Sequence, residues 1–360
     1  MYMRRALLIL VAVAVVVGAV GYAMRGTIAV ALMQIAAGRA ITTDAVDTQP
    51  DGLTVVLCGA GSPLADPLRS GPCVAIIAGK QLYEVDAGDG AGRNLTRLGL
   101  PPGRVTALFL THFHSDHIDG LGELTELRWA GGSHHDPLPV VGPTGVEQVV
   151  DGFNAAYALD AGYRVAHHGP TVVPPEGRGG VARPFAAPKP GEGVVVWSAD
   201  GLTVTAFAVK HDPVIPAVGY KFEYGGRTAV ISGDTAKSEN VQHFATNADL
   251  LVHEGLSREL VGLMHAAAEA AGRTNVAKIL SDIPGYHTDP VEVAEIAAAA
   301  NVRHVLFYHV IPPLLVPGSE AAFLRGVDAI YKGGVTLGRD GTQIQLPRDS
   351  TAIVVSQRSL

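Results

Sequence analysis

The chain of 360 residues carries 27 basic and 34 acidic side chains, which gives a formal net charge of −7 at pH 7. This balance provides no overall attraction for nucleic acid, which is bound mainly through Lys and Arg. Apolar residues make up 48% of the sequence and charged residues 17%, which excludes a chain that is disordered throughout. The two cysteines, Cys58 and Cys73, are too few for a cysteine-rich zinc site.

Residues 1–25 have the composition of a membrane-spanning or signal segment. Arg4 and Arg5 precede an uncharged apolar stretch, residues 6–23, that is just long enough to cross a bilayer as a helix. Because the positive charges lead the stretch, we expect the N-terminus to stay in the cytoplasm and the rest to be exported. The predicted location is the inner membrane with a periplasmic domain. A cleaved signal peptide, which would make the protein periplasmic, and a soluble protein with a buried apolar helix remain the alternatives.

Residues 26–50 are interpreted as a connector, and residues 51–350 as one catalytic domain. Short apolar runs bounded by Gly, Pro and Asp predict strands. The predicted strands are 53–57, 73–78, 81–85, 105–110, 194–197, 202–209, 218–224, 228–232, 250–253 and 304–308. Helices are predicted at 118–129, 145–158 and 289–300, the last of which begins with a capping box. Two groups of strands flanked by helices predict an α/β fold in which two β-sheets lie between helical layers.

Two further features of the domain concern a loop and the cysteines. The Pro- and Gly-rich segment 167–192 shows no periodicity, which predicts a loop or lid. Cys58 ends one predicted strand and Cys73 begins another, so a cross-strand disulfide and two buried free thiols are both compatible with the sequence. Of the two, free thiols are the preferred interpretation.

The segment His112-Phe113-His114-Ser115-Asp116-His117 follows an apolar strand. Alternating side chains at a strand end point to one side, so His112 and His114 would face one metal ion. Asp116 and His117, at the turn into a helix, would reach a second. Imidazoles combined with a carboxylate suit Zn²⁺.

This motif resembles the signature of the metallo-β-lactamase superfamily, and further strand-end motifs follow it in order. The resemblance implies a metallo-β-lactamase αββα sandwich and two divalent metal ions, expected to be Zn²⁺, that activate a bridging hydroxide. It implies that His112, His114 and His211 hold the first ion. Asp116, His117 and His309 would hold the second, and Asp234 would link the two.

Two further motifs resemble motifs of the ribonuclease Z group, which includes arylsulfatase-like and phosphodiesterase-like members. Val252-His253-Glu254-Gly255 resembles the His-Glu-Ala-Thr motif of that group, and Gly285-Tyr286-His287-Thr288 resembles its His-Ser/Thr motif. The resemblance implies catalytic roles for His253 and His287, beside Asp116. We expect His253, with Glu254 as its orienting carboxylate, to give the leaving group a proton, and His287 to contact the anionic centre. A core histidine and a loop histidine are the alternatives.

The tRNA-gripping arm of ribonuclease Z enzymes is absent, because His211 and Asp234 are only 23 positions apart. The predicted function is therefore hydrolysis of a small anionic ester, a phosphodiester or an aryl sulfate, outside the cytoplasm. Nucleic acid is not expected as a substrate. The alternatives are a ribonuclease Z-like RNA endonuclease, a lactonase or β-lactamase-type hydrolase, and a non-catalytic metal-binding protein. The predicted partners are the ester and the membrane, and the sequence leaves a homodimer open.

Overall fold

The computed structural model describes residues 2–360. The chain divides into two units, the first ending at Asp44 and the second beginning at Ala45. The N-terminal unit consists of two helices, α1 (Tyr2–Ala23) and α2 (Arg25–Thr42). Within the described residues, α1 alone is long and apolar enough to cross a membrane by length and composition. Much of the predicted connector is therefore helical, because 26–42 continues as α2.

The second unit contains two β-sheets. The first has eight strands in the order β15-β14-β1-β2-β3-β4-β5-β6, and the second has seven in the order β13-β12-β11-β10-β9-β8-β7. The strands of the first sheet are β1 Gly52–Gly59, β2 Cys73–Ala78, β3 Gln81–Val85, β4 Val105–Phe109, β5 Leu138–Pro143, β6 Gly180–Phe185, β14 Thr342–Pro347 and β15 Val354–Gln357. Those of the second are β7 Gly193–Ala199, β8 Leu202–Ala208, β9 Val218–Tyr224, β10 Arg227–Ile231, β11 Leu250–Leu256, β12 His304–Ile311 and β13 Gly334–Leu337.

Helices flank the two sheets. They are α3 Ala91–Arg97, α4 Ser115–Ile118, α5 Leu121–Gly132, α6 Val146–His168, α7 Glu239–Phe244, α8 Arg258–Ala270, α9 Thr274–Asp282, α10 Pro290–Ala299, α11 Ser319–Phe323 and α12 Val327–Ile330. The predicted capping box of α10 is present, with Asp289 and Glu292 each bonding the other's backbone.

The packing of strand β1 explains why its side chains are apolar on both faces. Leu53, Val55 and Leu57 belong to the core between the two sheets, whereas Val56 and Cys58 belong to the core beneath α3 and α5. Because successive side chains of a strand point to opposite faces, a strand between two apolar layers loses the polar alternation. The predicted α/β sandwich of two sheets between helical layers is confirmed.

The predicted loop at 167–192 is wrong in its second half. Residues 180–185 form β6, which pairs in parallel with β5 from Leu138↔Gly180 to Pro143↔Phe185. The strand lies at the edge of its sheet and its side chains are half-buried or exposed. Arg183 and Pro184 are tolerated there, so the segment lacks the apolar run that identifies a buried strand.

The preference for free thiols is also wrong, because Cys58 and Cys73 form a disulfide. An irregularity in the antiparallel pairing of β1 and β2 places Cys73 opposite Gly59 and leaves the two cysteine Cα atoms 5.0 Å apart. This distance depends on strand register, which the sequence did not reveal. The bond closes the loop between β1 and β2, and residues 62–64 of that loop line the cavity described below.

Candidate metal centre

Four side-chain donors from three strand ends converge at one point. His112 Nε2 lies 3.0 Å from His114 Nδ1, and His211 Nε2 lies 3.3 Å from the same atom. Asp234 Oδ2 lies 3.9 Å from His112 Nε2 and 4.0 Å from His211 Nε2. All four donors lie within 4.8 Å of one another. The site therefore offers three imidazole nitrogens and one carboxylate oxygen to a single ion.

A second group lies directly beside the first. His309 Nε2 is 3.2 Å from Asp116 Oδ2, and His117 Nε2 is 3.6 Å from the same oxygen. Asp234 Oδ2 lies 3.3 Å from His117 Nε2 and 3.2 Å from His309 Nε2. Asp234 thus belongs to both groups, and the structure brings together all seven residues that the sequence predicts as ligands.

The donor set fits divalent cations, as three observations of charge and burial show. Within the described residues, Asp234 Oδ1 and His117 Nε2 are buried without a hydrogen-bond partner, a rare condition for polar atoms. Burial lowers the pKa of His211 to about 4, which keeps its imidazole neutral and able to bind a metal. His309 and His117 hold the pKa of Asp234 well below its usual range although burial opposes them. An anionic carboxylate that lies among several imidazole rings is a ligand set suited to Zn²⁺.

Hydrogen bonds orient three of the imidazoles. His117 Nδ1 donates to Asp86 Oδ2 at 2.8 Å, and His211 Nδ1 donates to the Tyr286 carbonyl at 3.0 Å. The Thr111 hydroxyl donates to Asp86 and accepts from His112 Nδ1 at 3.0 Å. Each bond fixes the tautomer that leaves the Nε2 lone pair free for a metal ion. Sequence reasoning missed Asp86, although its position directly after buried strand β3 was a usable signal.

A bulge in β12 positions His309. Glu254 and Gly255 of β11 pair with Tyr308 and Val310, so His309 is the extra residue and has φ of 44°. Bulges turn a side chain away from the regular alternation of a strand. Here the bulge turns His309 towards Asp116 and Asp234.

A cavity of about 270 Å³ opens onto the centre. Asp116, Asp234 and His309 line its base, and its walls come from the β1–β2 loop, α9 and the segment before α10. The wall residues include Ser62, Pro63, Leu64, Ile279, Leu280, Ile283, Tyr286 and His287. The walls are mostly apolar, whereas the base carries the metal-binding groups.

The two predicted catalytic histidines lie in different surroundings. His287 lines the cavity, and its Nδ1 is 3.3 Å from Glu254 Oε1. His253 does not line the cavity, and its Nδ1 donates to the Glu254 carbonyl oxygen. Burial lowers the pKa of both rings, that of His253 to about 4. The Glu254 carboxyl group, which also accepts from the Thr288 backbone N–H, therefore lies beside the His287 ring and not beside the ring of His253. Of the two predicted proton donors, His287 is the one that reaches the cavity.

His287 has a second candidate role. One of its ring nitrogens lies within 4.8 Å of donor atoms of Asp234 and His309, so it could also be a ligand of the second ion.

Comparisons with known proteins agree with this geometry. The model of the β-lactamase superfamily domain matches residues 85–310. A ribonuclease Z of Mycolicibacterium gilvum (strain PYR-GCK) is 32% identical over 296 residues, which are 82% of this chain and 96% of that protein. A ribonuclease Z of Mycobacterium marinum (strain ATCC BAA-535 / M) is 31% identical over 297 residues, 82% of this chain and 99% of that protein.

Solved structures of low identity share the fold. The metallo-β-lactamase fold protein YhfI of Bacillus subtilis superposes with a TM-score of 0.58 at 17% identity, covering 82% of this chain and 99% of its own. The short form of human tRNase Z gives 0.57 at 20% identity with the same coverages.

Replacing Asp86 with Asn tests the orientation of His117. An amide that keeps its bond to the Thr111 N–H presents its NH₂ group to His117 Nδ1, which favours the tautomer protonated at Nε2. We expect metal affinity to fall on the order of 10- to 100-fold, measured by chelator competition and elemental analysis. Asp89→Asn, an exposed change three residues away, is the control. Wild-type affinity in Asp86→Asn would show that this bond does not position the ligand.

Proposed function

The chain belongs to the metallo-β-lactamase superfamily and is a metal-dependent hydrolase, and on that premise we propose that it is a ribonuclease Z-like phosphodiesterase that cleaves RNA. The observation that carries this proposal is the match to proteins named ribonuclease Z over 96% of their length or more. The match runs against the expectation that nucleic acid is excluded. That expectation rested on the short interval between His211 and Asp234, the acidic net charge and the predicted export of the domain. Of these, net charge does not exclude a local surface that binds RNA.

The roles of the residues follow from their positions. His112, His114 and His211 would hold one divalent ion, Asp116, His117 and His309 the other, and Asp234 both. Bound divalent ions supply a nucleophile from water at neutral pH and stabilise charge on phosphoryl oxygens. His287, whose Nδ1 lies 3.3 Å from Glu254 Oε1, lines the same cavity and would give a proton to the departing oxygen. In the reaction the oxygen of water would bond to phosphorus as the water loses a proton. One P–O bond would break, and the leaving oxygen would take a proton from His287.

The short interval between His211 and Asp234 does not exclude RNA. It contains a loop and the hairpin of β9 and β10, with no room for a long inserted arm. The relatives named ribonuclease Z nevertheless match this chain over nearly their full lengths, which supports RNA as a substrate despite the short interval.

A second candidate function is hydrolysis of a small phosphodiester or aryl sulfate. Of the described residues, none that lines the cavity at the metal centre is Lys or Arg. RNA-binding surfaces depend on such cations, whereas a small ester neutralised by the metal ions does not.

A substrate panel on the full-length, metal-loaded protein tests the proposal. We expect both RNA with a 3′ extension and bis(p-nitrophenyl) phosphate to be hydrolysed. The kcat/KM for RNA should be higher by at least about tenfold, because a bound polymer makes additional contacts with the protein. Asp234→Ala should abolish both activities and release at least one ion, measured by elemental analysis, while exposed Asp151→Ala should not. A tenfold preference for an aryl sulfate, lactone or β-lactam would refute phosphodiester hydrolysis, and a preference for the small diester would favour the second candidate.

His287→Ala tests the proton donor. We expect turnover of RNA to fall on the order of 10²- to 10⁴-fold with both metal ions retained, since general acid help is lost. The loss should be smaller with a p-nitrophenyl leaving group, which departs without a proton, and Glu254→Gln should show the same pattern more weakly. Exposed His243→Ala is the control. Loss of a metal ion from His287→Ala would instead identify His287 as a ligand.

We also propose that α1 anchors the protein in the inner membrane with residues 51–350 in the periplasm. The full-length protein should sediment with membranes and resist extraction by salt, and deletion of residues 2–23 should remove this attachment. A reporter that is active only in the periplasm should be active when fused to the C-terminus. A soluble protein that lacks α1 would indicate a cleaved signal peptide, and a soluble full-length protein would contradict both interpretations.

A further inference from the structure

A second cavity adjoins the metal centre at His114. It is a groove of about 660 Å³ between α6 and the loop that joins β8 to β9. His114 lines both this groove and the smaller cavity at the metal ions. A molecule that fills the groove therefore lies within reach of the reacting centre.

The groove is apolar along its length. Apart from His114, its only polar side chains are Thr144 and Gln148, and none of its described residues is Lys, Arg, Asp or Glu. Ile215 on its rim is 77% exposed. Exposed apolar side chains at a concave site mark a surface that is covered by a ligand. The apolar lining is contributed by Phe113, Ile118, Val149, Phe153, Val214 and Pro216.

The side chains that line the groove favour some classes of ligand over others. A polynucleotide backbone needs cations, and a nucleobase presents donors and acceptors along its edge, for which two polar side chains are few partners. An aliphatic chain needs neither cations nor hydrogen bonds, and it gains free energy with every methylene group removed from water. The apolar helix α1 also suits a chain that works where lipids are present.

We propose that this groove binds the aliphatic chain of a single-chain phosphodiester whose phosphate lies at the metal centre. The proposal rests on the phosphodiester hydrolysis proposed above and adds a second substrate class, lipid-like esters, to it. Hydrolysis of such an ester adds water across one P–O bond and gives an alkyl phosphate and an alcohol. The alkyl phosphate keeps the chain in the groove, so it serves as a binding probe that is independent of turnover.

Gly152 offers a way to fill the groove. It lies on α6 and lines the groove, and a Cβ built on it would meet no heavy atom within 4 Å. Leu at this position should occupy the groove without displacing its neighbours. Gly162 lies on the same helix in equally open space but does not line the groove, so Gly162→Leu is a matched control. Both substitutions favour the helix to the same degree.

The test is calorimetric titration of the full-length, metal-loaded protein in lipid nanodiscs with ethyl, butyl, hexyl and octyl phosphate. Wild type and Gly162→Leu should bind more tightly by about two- to fourfold per added methylene, as burial of the chain requires. Gly152→Leu should bring the ratio of octyl to ethyl affinity close to that of empty nanodiscs. Chain partitioning into lipid is common to all three samples, so differences between them report on the groove.

Two outcomes would overturn the proposal: equal affinity for ethyl and octyl phosphate in wild type, and a wild-type chain-length dependence in Gly152→Leu. The outcome for the groove is separate from that for the proposed function. If the substrate panel detects no phosphodiester turnover, phosphodiester hydrolysis fails whatever the titrations show. If RNA is cleaved but affinity does not depend on chain length, the groove proposal alone fails.

Discussion

The buried carboxylate of Asp234 is the constraint on which the rest of the site depends. Its Oδ2 atom lies within 4.0 Å of ring nitrogens of four histidines, two in each metal group. Burying so many polar groups is costly unless they are paired with one another or with metal ions. The two β-sheets deliver these side chains from separate strand ends. Metal binding and the folded arrangement of these strand ends are therefore coupled.

Much of this centre could be predicted because its ligands follow apolar strands in recognisable motifs. The pairing of Glu254 could not be predicted in the same way. His253 and Glu254 are neighbours in sequence but lie on one strand, where successive side chains point to opposite faces. The Glu254 carboxylate consequently meets His287, 33 positions away, while His253 bonds only the Glu254 backbone. Adjacency in sequence suggested the wrong partner.

The other differences from the sequence analysis have the same origin in long-range pairing. Cys58 and Cys73 are brought together by the register of β1 and β2, and β6 is stabilised as an edge strand by pairing with β5. Asp86 follows a buried strand, but its partner, His117, is identified by the folded structure. In each case the local residues were compatible with several structures, and a contact with a distant segment selected one. Ligand order and ten of the fifteen strands in residues 2–360 were readable because they depend on local patterns, whereas β5, β6, β13, β14 and β15 were not predicted.

The metal ligands do not distinguish one reaction of the superfamily from another, because an activated water attacks phosphorus, sulfur and carbonyl centres alike. Selectivity must come from the walls: the β1–β2 loop, α9, Tyr286 and the groove beside α6. These segments lie outside the histidine motifs, and α9 and the groove had no sequence signal that we could interpret. His114 lines both cavities, so a substrate can place a phosphate on one side of it and an apolar chain on the other. RNA and a lipid-like ester would make the same demand on the metal centre and opposite demands on the groove, which makes the groove the place where the two substrate classes can be separated.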